Sequence, residues 1–296
     1  MASLKAIRKR IVSVRNTEQV TKAMKMVSAA KLRRAQLNAE NARPYAEKLG
    51  VLLTRLGAEA GEGAHPFLGV GAAAPAHLLL ISSDRGLCGA YNASLIRLAE
   101  EFLASDEGRG ARLTVCGRRG HDHLRRRSAN IETAHVNRVQ GYDLGLAREV
   151  AADVSRRFIE GEAGGVYVVY SRFQSAISQQ ALVEKLLPVG AAGPGAGAAA
   201  EEHSGGEVVR SEYLYEPDSA TILRSLLPRY LETKVLQVML EATASEHGAR
   251  MTAMDNASRN AAEMIDRLTL QMNRARQAGI TTELMEIVSG AEALKG

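Results

Sequence analysis

The stretch of this sequence best suited to chemistry is ISSDRGLCGAYN, residues 81–92. It follows the apolar run Leu78–Leu80 and holds two glycines, an arginine and a cysteine where a strand is predicted to turn into a helix. In α/β proteins, phosphates bind and active sites form at such turns. Two hypotheses follow: a phosphate-binding loop at Gly86 and Gly89, or a nucleophile at Cys88.

The glycine spacing argues against a nucleotide site. Gly86 and Gly89 do not form G-x-G-x-x-G, and no Lys-Ser or Lys-Thr pair follows them as in a Walker A loop. A dinucleotide site also needs an acidic residue at the end of the second strand, where this sequence has CGRR, residues 116–119. We therefore predict that this chain binds no nucleotide or other cofactor.

Cys88 and three histidines suggest two further kinds of site. A cysteine nucleophile requires a base and a group that orients the base, but His121, His123 and His135 stand in no known catalytic signature. Histidines two residues apart on a helix point away from each other, and the neighbouring arginines repel a metal ion. We therefore predict neither catalysis nor metal binding here, which makes Cys88 a structural or surface thiol.

The composition indicates the compartment. Cys88 and Cys116 are the only cysteines, too few for a disulfide framework, so a reducing cytosol is expected. The first ten residues lack the apolar segment of a secretory signal, and no run of 18 apolar residues could cross a bilayer. Any association with a membrane is therefore expected to come through a partner.

The net charge of +5 is unevenly distributed. Residues 1–50 hold twelve lysines and arginines against three glutamates, a net charge of +9 (12 − 3), which leaves −4 (5 − 9) for the rest. Such a basic segment binds an acidic surface. In DNA-binding proteins of the basic-zipper type, the basic segment and the apolar zipper are separate stretches of sequence. In this chain the apolar residues Ile7, Ile11 and Val14 lie within the basic segment. One interpretation is a solvated face with no partner. The other is that the segment binds a partner, which we then expect to be an acidic protein rather than nucleic acid.

Both ends of the chain have the pattern of long helices. Prolines are absent from residues 1–43 and after Pro228, so both ends can form helices without a break. At the C-terminal end, mostly apolar or small residues recur at alternating steps of four and three, which is the spacing of a coiled coil. These positions are Leu240, Ala244, His247, Met251, Met254, Ser258, Ala261, Ile265, Leu268, Met272 and Ala275. The N-terminal series runs through Leu4, Ile7, Ile11, Val14, Val20, Met24 and Val27, and its step from Val14 to Val20 predicts a stutter. We predict that residues 1–57 pair with residues 218–290 as an antiparallel coiled coil.

The middle of the chain alternates strand and helix patterns, which indicates a mostly parallel sheet with helices on its faces. Strands are predicted at 77–83, 112–116, 131–135, 165–171 and 180–187, and helices at 91–105, 118–127 and 143–160. The predicted fold class is thus α/β, with a Rossmann-like domain at 76–190 inserted between the helical ends 1–57 and 211–296. Residues 191–210 are rich in glycine and alanine and are predicted to be a flexible insertion.

Four motifs in order resemble the gamma-subunit family of F-type ATP synthases. They are the N-terminal segment MASLKAIRKRIVSVRNTEQVTKAMKMVSAAKLRRAQ, then SDRGLCGAYN, then YLYEPD with LLPRYLETKV, and finally TLQMNRARQAGITTELMEIVSGAEAL. The resemblance covers the whole chain and is weakest over residues 190–206. It implies a non-catalytic rotor shaft inside a hexamer of alpha and beta subunits, with its α/β domain on the epsilon subunit and the c-ring at the cytoplasmic face of a bacterial inner membrane.

The resemblance also implies which residues contact partners. Met24 and Lys25 match positions near an acidic lever of the beta subunit, and Arg276 and Gln277 match a pair at the beta catch loop. Arg85 and Cys88 match a loop that faces the lever, which makes Cys88 an interface thiol. The segment with Tyr213, Tyr215 and Glu216 matches the part that rests on the c-ring and epsilon.

Three other functions remain open from the residues alone. The chain could be a structural coiled-coil adaptor with an inert α/β domain, a nucleic-acid-binding protein that uses its basic helix, or a thiol enzyme at Cys88. Copurification with an ATPase, salt-dependent DNA binding and thiol-dependent turnover, respectively, would distinguish them.

Overall fold

The computed structural model describes residues 4–60, 65–69, 71–138, 144–189 and 218–293. Two long helices, α1 (Leu4–Ala60) and α5 (Ser219–Ala293), lie at the ends of the chain, and a single 3-10 turn occupies Pro66–Leu68. Between them lie β1 (His77–Ile81), α2 (Tyr91–Ala104), β2 (Arg112–Cys116), α3 (Arg118–Arg126), β3 (Ile131–His135), α4 (Leu144–Ile159), β4 (Val166–Phe173) and β5 (Gln179–Leu187). These bounds confirm every predicted helix and strand to within a few residues at each end.

The five strands form one sheet in the order β3-β2-β1-β4-β5. Strand β1 pairs in parallel with β2 and β4, β2 pairs in parallel with β3, and β5 adds an antiparallel edge beside β4. All five residues of β1 are buried, because a parallel strand in the middle of such a sheet is covered on both faces. The prediction of a mostly parallel α/β sheet is confirmed.

The chain forms two compact units, Met1–Ser28 with Arg250–Gly296, and Ala29–Ala249. In the larger unit the residues of β1 alternate between two cores, one on each face of the sheet. Leu79 and Ile81 lie in a core built with α4 and with parts of α1 and α5, including Leu53, Val154 and Leu227. On the other face, β1 contributes Leu78 and Leu80 to a core shared with α2 and α3.

The smaller unit is an antiparallel helix pair. Ile7 and Ile11 of α1 form a buried cluster with Leu268 of α5, while Lys25 of α1 lies against Asp255, thirteen residues earlier on α5. Met254, Ser258, Ala261 and Leu268 are each less than 10% exposed. These four belong to the predicted C-terminal seam.

The predicted stutter in the N-terminal repeat is wrong. Val20 and Val27 are 58% and 57% exposed, whereas Thr21 and Ser28 are 7% and 3% exposed. Thr21 and Ser28 lie seven and fourteen residues after Val14. The heptad spacing therefore continues without a stutter, but polar residues occupy these two positions. The Thr21 hydroxyl donates to the Glu18 carbonyl at 3.0 Å, so burying it leaves its donor satisfied.

Candidate functional site

The loop after β1 is closed by hydrogen bonds among its own residues and the first turn of α2. Ser83 Oγ donates to the Arg85 carbonyl at 2.6 Å and accepts from Asn92 Nδ2 at 2.8 Å. The backbone N–H of Ser83 donates to Asn92 Oδ1 at 3.1 Å. Leu87 and Gly89 adopt positive φ angles of 63° and 57°, a conformation that is costly for leucine and easy for glycine.

Cys88 lies inside this loop rather than on its surface. Its Sγ accepts from Asn92 Nδ2 at 3.1 Å and faces the Arg85 carbonyl at 3.9 Å, and the residue is only 2% exposed. The thiol helps to close the loop, and its place at an interface with a partner stays a prediction. Arg85 and Leu87, the latter 62% exposed, are the side chains that the loop presents to solvent.

The N-terminus of α3 lies beside the same loop, and the chain itself occupies its backbone donors. The N–H of Arg118 donates to Asp84 Oδ1 at 2.9 Å, that of Arg119 to the Ser83 carbonyl at 3.0 Å, and that of Gly120 to Ser82 Oγ at 2.9 Å. A helix N-terminus binds phosphate through such free N–H groups. These three donors are thus not available to a phosphate.

Helix α5 covers the carboxyl edge of the sheet between β1 and β4, where the strand order reverses. Tyr91 Oη donates to the Ala242 carbonyl at 3.1 Å, and Ser245 Oγ donates to the Ser171 carbonyl at 2.9 Å. Ala242 and Ser245 are 1% and 0% exposed. In doubly wound sheets this crevice is the usual ligand site, and here it is filled by a helix.

The histidines considered as metal ligands are held apart by different partners. His123 Nε2 lies 3.0 Å from Glu100 Oε1, His121 Nδ1 lies 3.4 Å from Asp122 Oδ1, and His135 Nδ1 lies 3.7 Å from Glu149 Oε1. Across the described ranges, no group of three or more His, Cys, Asp or Glu side chains has the arrangement of a metal site. Burial raises the pKa of the Cys116 thiol to about 12, so this cysteine stays protonated.

In the smaller unit, the structure places Lys25 in an ion pair. Its Nζ lies 2.5 Å from Asp255 Oδ1, and Asp255 Oδ2 lies 3.2 Å from Arg259. The hydrogen bond from Lys25 lowers the pKa of Asp255. Met24 is half-buried beside this pair.

The last turns of α5 form an exposed apolar surface. Every residue from 276 to 291 is exposed, including Arg276 and Gln277. Five of them are large and apolar, with exposed fractions of 50% to 67%: Ile280, Leu284, Met285, Ile287 and Val288. A patch of this kind marks a surface that binds another protein. The predicted C-terminal helix, 218–290, is longer than its predicted partner, 1–57. This difference in length is the feature of the sequence that agrees with an unpaired end.

Two predicted regions lie outside the described residues. These are the segment with Tyr213, Tyr215 and Glu216, and the insertion at 191–210. Within the described ranges, no helix is both long enough and apolar enough to span a bilayer.

Comparison with known proteins assigns the family. Residues 3–294 match a family model described as ATP synthase. The chain is 47% identical to the ATP synthase gamma chain of Geobacter metallireducens and 48% identical to that of Moorella thermoacetica, with both proteins covered over their full length.

Solved structures share the fold. One is the central stalk and c-ring of the Tetrahymena thermophila mitochondrial ATP synthase, with 27% identity, a TM-score of 0.60, and coverage of 81% of this chain and 99% of that chain. Another is the Euglena gracilis mitochondrial ATP synthase, with 20% identity and a TM-score of 0.66 over 98% of this chain and 94% of that chain. The family model and the full-length relatives agree, and the chain belongs to the ATP synthase gamma chain family.

Proposed function

We propose that this chain is the central rotor shaft of an F-type ATP synthase. It couples proton-driven rotation of the membrane c-ring to conformational change at the catalytic beta subunits, during ATP synthesis or hydrolysis. The observation that carries this proposal is the apolar surface at residues 276–291, because a helix that exposes five large apolar side chains requires a protein around it. A hexamer of alpha and beta subunits would enclose such a helix.

The chain itself is proposed to be non-catalytic. The loop after β1 and the N-terminus of α3 use their backbone donors internally, and α5 fills the crevice at which a doubly wound sheet would bind nucleotide. Nucleotide chemistry then belongs to the alpha and beta subunits.

Contacts with the hexamer are proposed for both helices of the smaller unit. The first fifty residues, which include the α1 part of the smaller unit and extend into the larger one, carry a net charge of +9 (12 − 3), which suits an acidic lever on the beta subunit. Met24 and Lys25 are proposed to face that lever. Arg276 and Gln277, both exposed, are proposed to hydrogen-bond the beta catch loop.

The larger unit is proposed to supply the remaining contacts. Arg85 presents a guanidinium from a loop that Cys88 helps to close, and both residues are proposed to belong to the loop that faces the beta lever. Tyr213, Tyr215 and Glu216 are assigned to the epsilon subunit and the c-ring by the family resemblance. The solved Tetrahymena relative is itself part of a central stalk with a c-ring.

The location proposed is peripheral, on the cytoplasmic face of a bacterial inner membrane. The two relatives compared above are bacterial, and the chain would reach the membrane through the c-ring rather than by its own helices.

Reconstitution tests this function directly. Vesicles that carry the proton channel and the other subunits are assembled with and without this chain, and ATP synthesis is driven by an imposed proton gradient. Synthesis is expected only with the chain, whereas the pure chain is expected to hydrolyse no ATP. A chain that joins the complex without restoring synthesis would instead be a structural adaptor, and turnover by the pure chain would contradict the non-catalytic assignment.

A further inference from the structure

A buried carboxylate connects the sheet to helix α5 within the larger unit. Glu184 of β5, 9% exposed, accepts from Lys234 Nζ at 2.7 Å and from Tyr170 Oη at 2.8 Å. Arg172 NH2 lies 3.6 Å from the oxygen that Tyr170 contacts. Because Tyr170 and Arg172 belong to β4 and Lys234 to α5, one side chain joins three elements. We refer to Glu184, Tyr170, Arg172 and Lys234 as the Glu184 network.

Charge keeps Glu184 ionised despite its burial. Burial opposes ionisation, but the positive charge of Lys234 and the hydrogen bonds from Lys234 and Tyr170 outweigh it and lower the pKa of Glu184. A second carboxyl, Glu241 of α5, has one oxygen that accepts from Gln237 at 3.1 Å and another that is buried without a hydrogen-bond partner. Burial raises the pKa of Glu241. Lys234 and Arg172 lower the pKa of both carboxyls, but only at Glu184 do the charges and hydrogen bonds outweigh burial.

Apart from the hydrogen bond from Ser245 Oγ to the Ser171 carbonyl at 2.9 Å, the other described contacts between α5 and the sheet are mainly apolar. Leu227, Leu231, Val235 and Val238 of α5 pack in the core that contains Val168 and Leu186. Apolar contacts are non-directional, so they hold a helix against a sheet but resist its rotation about its own axis weakly. A carboxylate with two charged or hydroxyl donors at fixed distances is directional, and turning α5 would separate its ions in a buried site.

We propose that Glu184 is a positioning residue that fixes the rotation of α5 relative to the sheet, so that torque passes between the α/β part of the chain and the shaft helix. The proposal rests on the rotor function proposed above. It predicts that the Glu184 network is needed when the complex works against a load and is dispensable when the complex turns freely.

The test removes three of the four members of the network and leaves Arg172, whose side chain is 48% exposed. The triple variant Tyr170→Phe/Glu184→Met/Lys234→Met replaces those three with apolar side chains, and buried ion pairs are often replaced in this way without loss of stability. The matched control is Arg148→Ala/Glu232→Ala, which removes an exposed ion pair at 3.2 Å that also joins α5 to the sheet-covering helices. Each variant is assembled with the other subunits. Thermal unfolding, ATP hydrolysis by the detached complex, and ATP synthesis in vesicles are then measured.

The triple variant is expected to match the wild type in thermal unfolding and in unloaded hydrolysis. Its gradient-driven synthesis is expected to fall about tenfold, the factor equivalent to one charge-assisted hydrogen bond. The control variant is expected to retain all three. Wild-type synthesis in the triple variant would overturn the proposal, whereas failure of the wild-type chain itself to support synthesis would instead overturn the rotor function.

A milder pair of variants covers the case in which the triple variant does not assemble. Lys234→Met leaves Glu184 with Tyr170 and Arg172, and Lys234→Arg keeps a cation at the same position. Synthesis under load is expected to fall in Lys234→Met and to return in Lys234→Arg. Equal synthesis in the two variants, whether both reduced or both unchanged, would overturn the proposal.

Discussion

Lys25 Nζ lies 2.5 Å from Asp255 Oδ1, and the other oxygen of this carboxylate lies 3.2 Å from Arg259. Asp255 thus forms ion pairs with one cation on α1 and one on α5. The side chains of Lys25 and Asp255 are 45% and 35% exposed, so water screens the pair and its contribution to stability is small. Its effect is expected to be on binding, because a cation that faces an internal carboxylate is less available to an acidic partner.

Asp255→Asn is therefore expected to strengthen binding of the chain to the alpha–beta hexamer, while leaving the free energy of unfolding nearly unchanged. Titrations at roughly 0.01 M and 0.15 M salt, where the Debye length is about 30 and 8 Å, should show the gain mostly at low salt. Glu263→Gln is the matched control, because it releases Arg267 on the same helix with the same change in net charge. An equal gain in both variants would mean that net charge, rather than Lys25 and Arg259, is responsible.

Arg276→Ala combined with Gln277→Ala is expected to impair coupled turnover without unfolding α5. Both side chains are exposed, and alanine is the best helix former, so circular dichroism of the isolated chain should not change. Each lost charge-assisted hydrogen bond is worth about 1.5 to 3 kcal/mol, which should appear as slower ATPase and proton pumping. The pair Gln271→Ala/Arg274→Ala, one turn earlier and also exposed, is the control. Normal pumping in the first variant would remove Arg276 and Gln277 from the contact.

Cys88→Ala is expected to leave ATP synthesis nearly intact. The thiol closes a loop and contacts amide and carbonyl groups, so its loss should cost about 1 kcal/mol of stability, the typical value of one hydrogen bond. Cys88→Ser, which keeps a donor and an acceptor, should recover most of that loss in urea titrations. A fall in synthesis of about a hundredfold, the scale of one general base, would instead support a catalytic thiol.

His77 is expected to make the chain less stable in acid. The residue is 1% exposed, its Nε2 lies 2.9 Å from Thr114 Oγ1, and its Nδ1 is buried without a hydrogen-bond partner. Burial lowers its pKa from 6.5 to about 4. The unfolded state therefore takes up a proton first as the pH falls below 6.5, and stability is lost until the pH reaches about 4.

At about 1.36 kcal/mol per pH unit, the full loss from His77 is about 3 kcal/mol. Urea titrations of wild type and His77→Gln across this range should show a smaller loss in the variant, since glutamine retains a partner for Thr114 but does not titrate. Above about pH 7.5 His77 is neutral in both states, so the difference between the two proteins at that pH is the baseline. Parallel curves for the two proteins would contradict a buried neutral His77.

The sequence predicted the elements that depend on apolar pattern and failed where polar side chains decide. Leu78–Ile81 reads as a buried strand because all of its residues are apolar, and the structure buries all of them. Thr21 and Ser28 are buried in the structure but carry no hydrophobic signal in the sequence. At Thr21 the hydroxyl donates to its own helix, which makes burial possible.

Contacts between distant polar residues were also not predictable. Cys88 is contacted by the side chain of Asn92, which lies on the first turn of the next helix. Glu184 pairs with Lys234, which is fifty residues later in the sequence and on a different element. Neither pairing follows from periodicity, because each depends on where two separate elements come together. The exposed apolar surface at residues 276–291 was not predicted, because a long helix was expected there but the exposure of its apolar residues does not follow from periodicity.

The packing of Ala242 and Ser245 over the carboxyl edge of β1 and β4 has a consequence for regulation. At that edge, ligand occupancy and attachment of α5 are mutually exclusive, since a ligand would have to displace the helix that the Ser171 carbonyl holds. The crevice at which folds of this class usually bind a small ligand is therefore occupied by the chain itself. A small molecule could therefore enter this crevice only by competing with α5 for the same carbonyl and the same space.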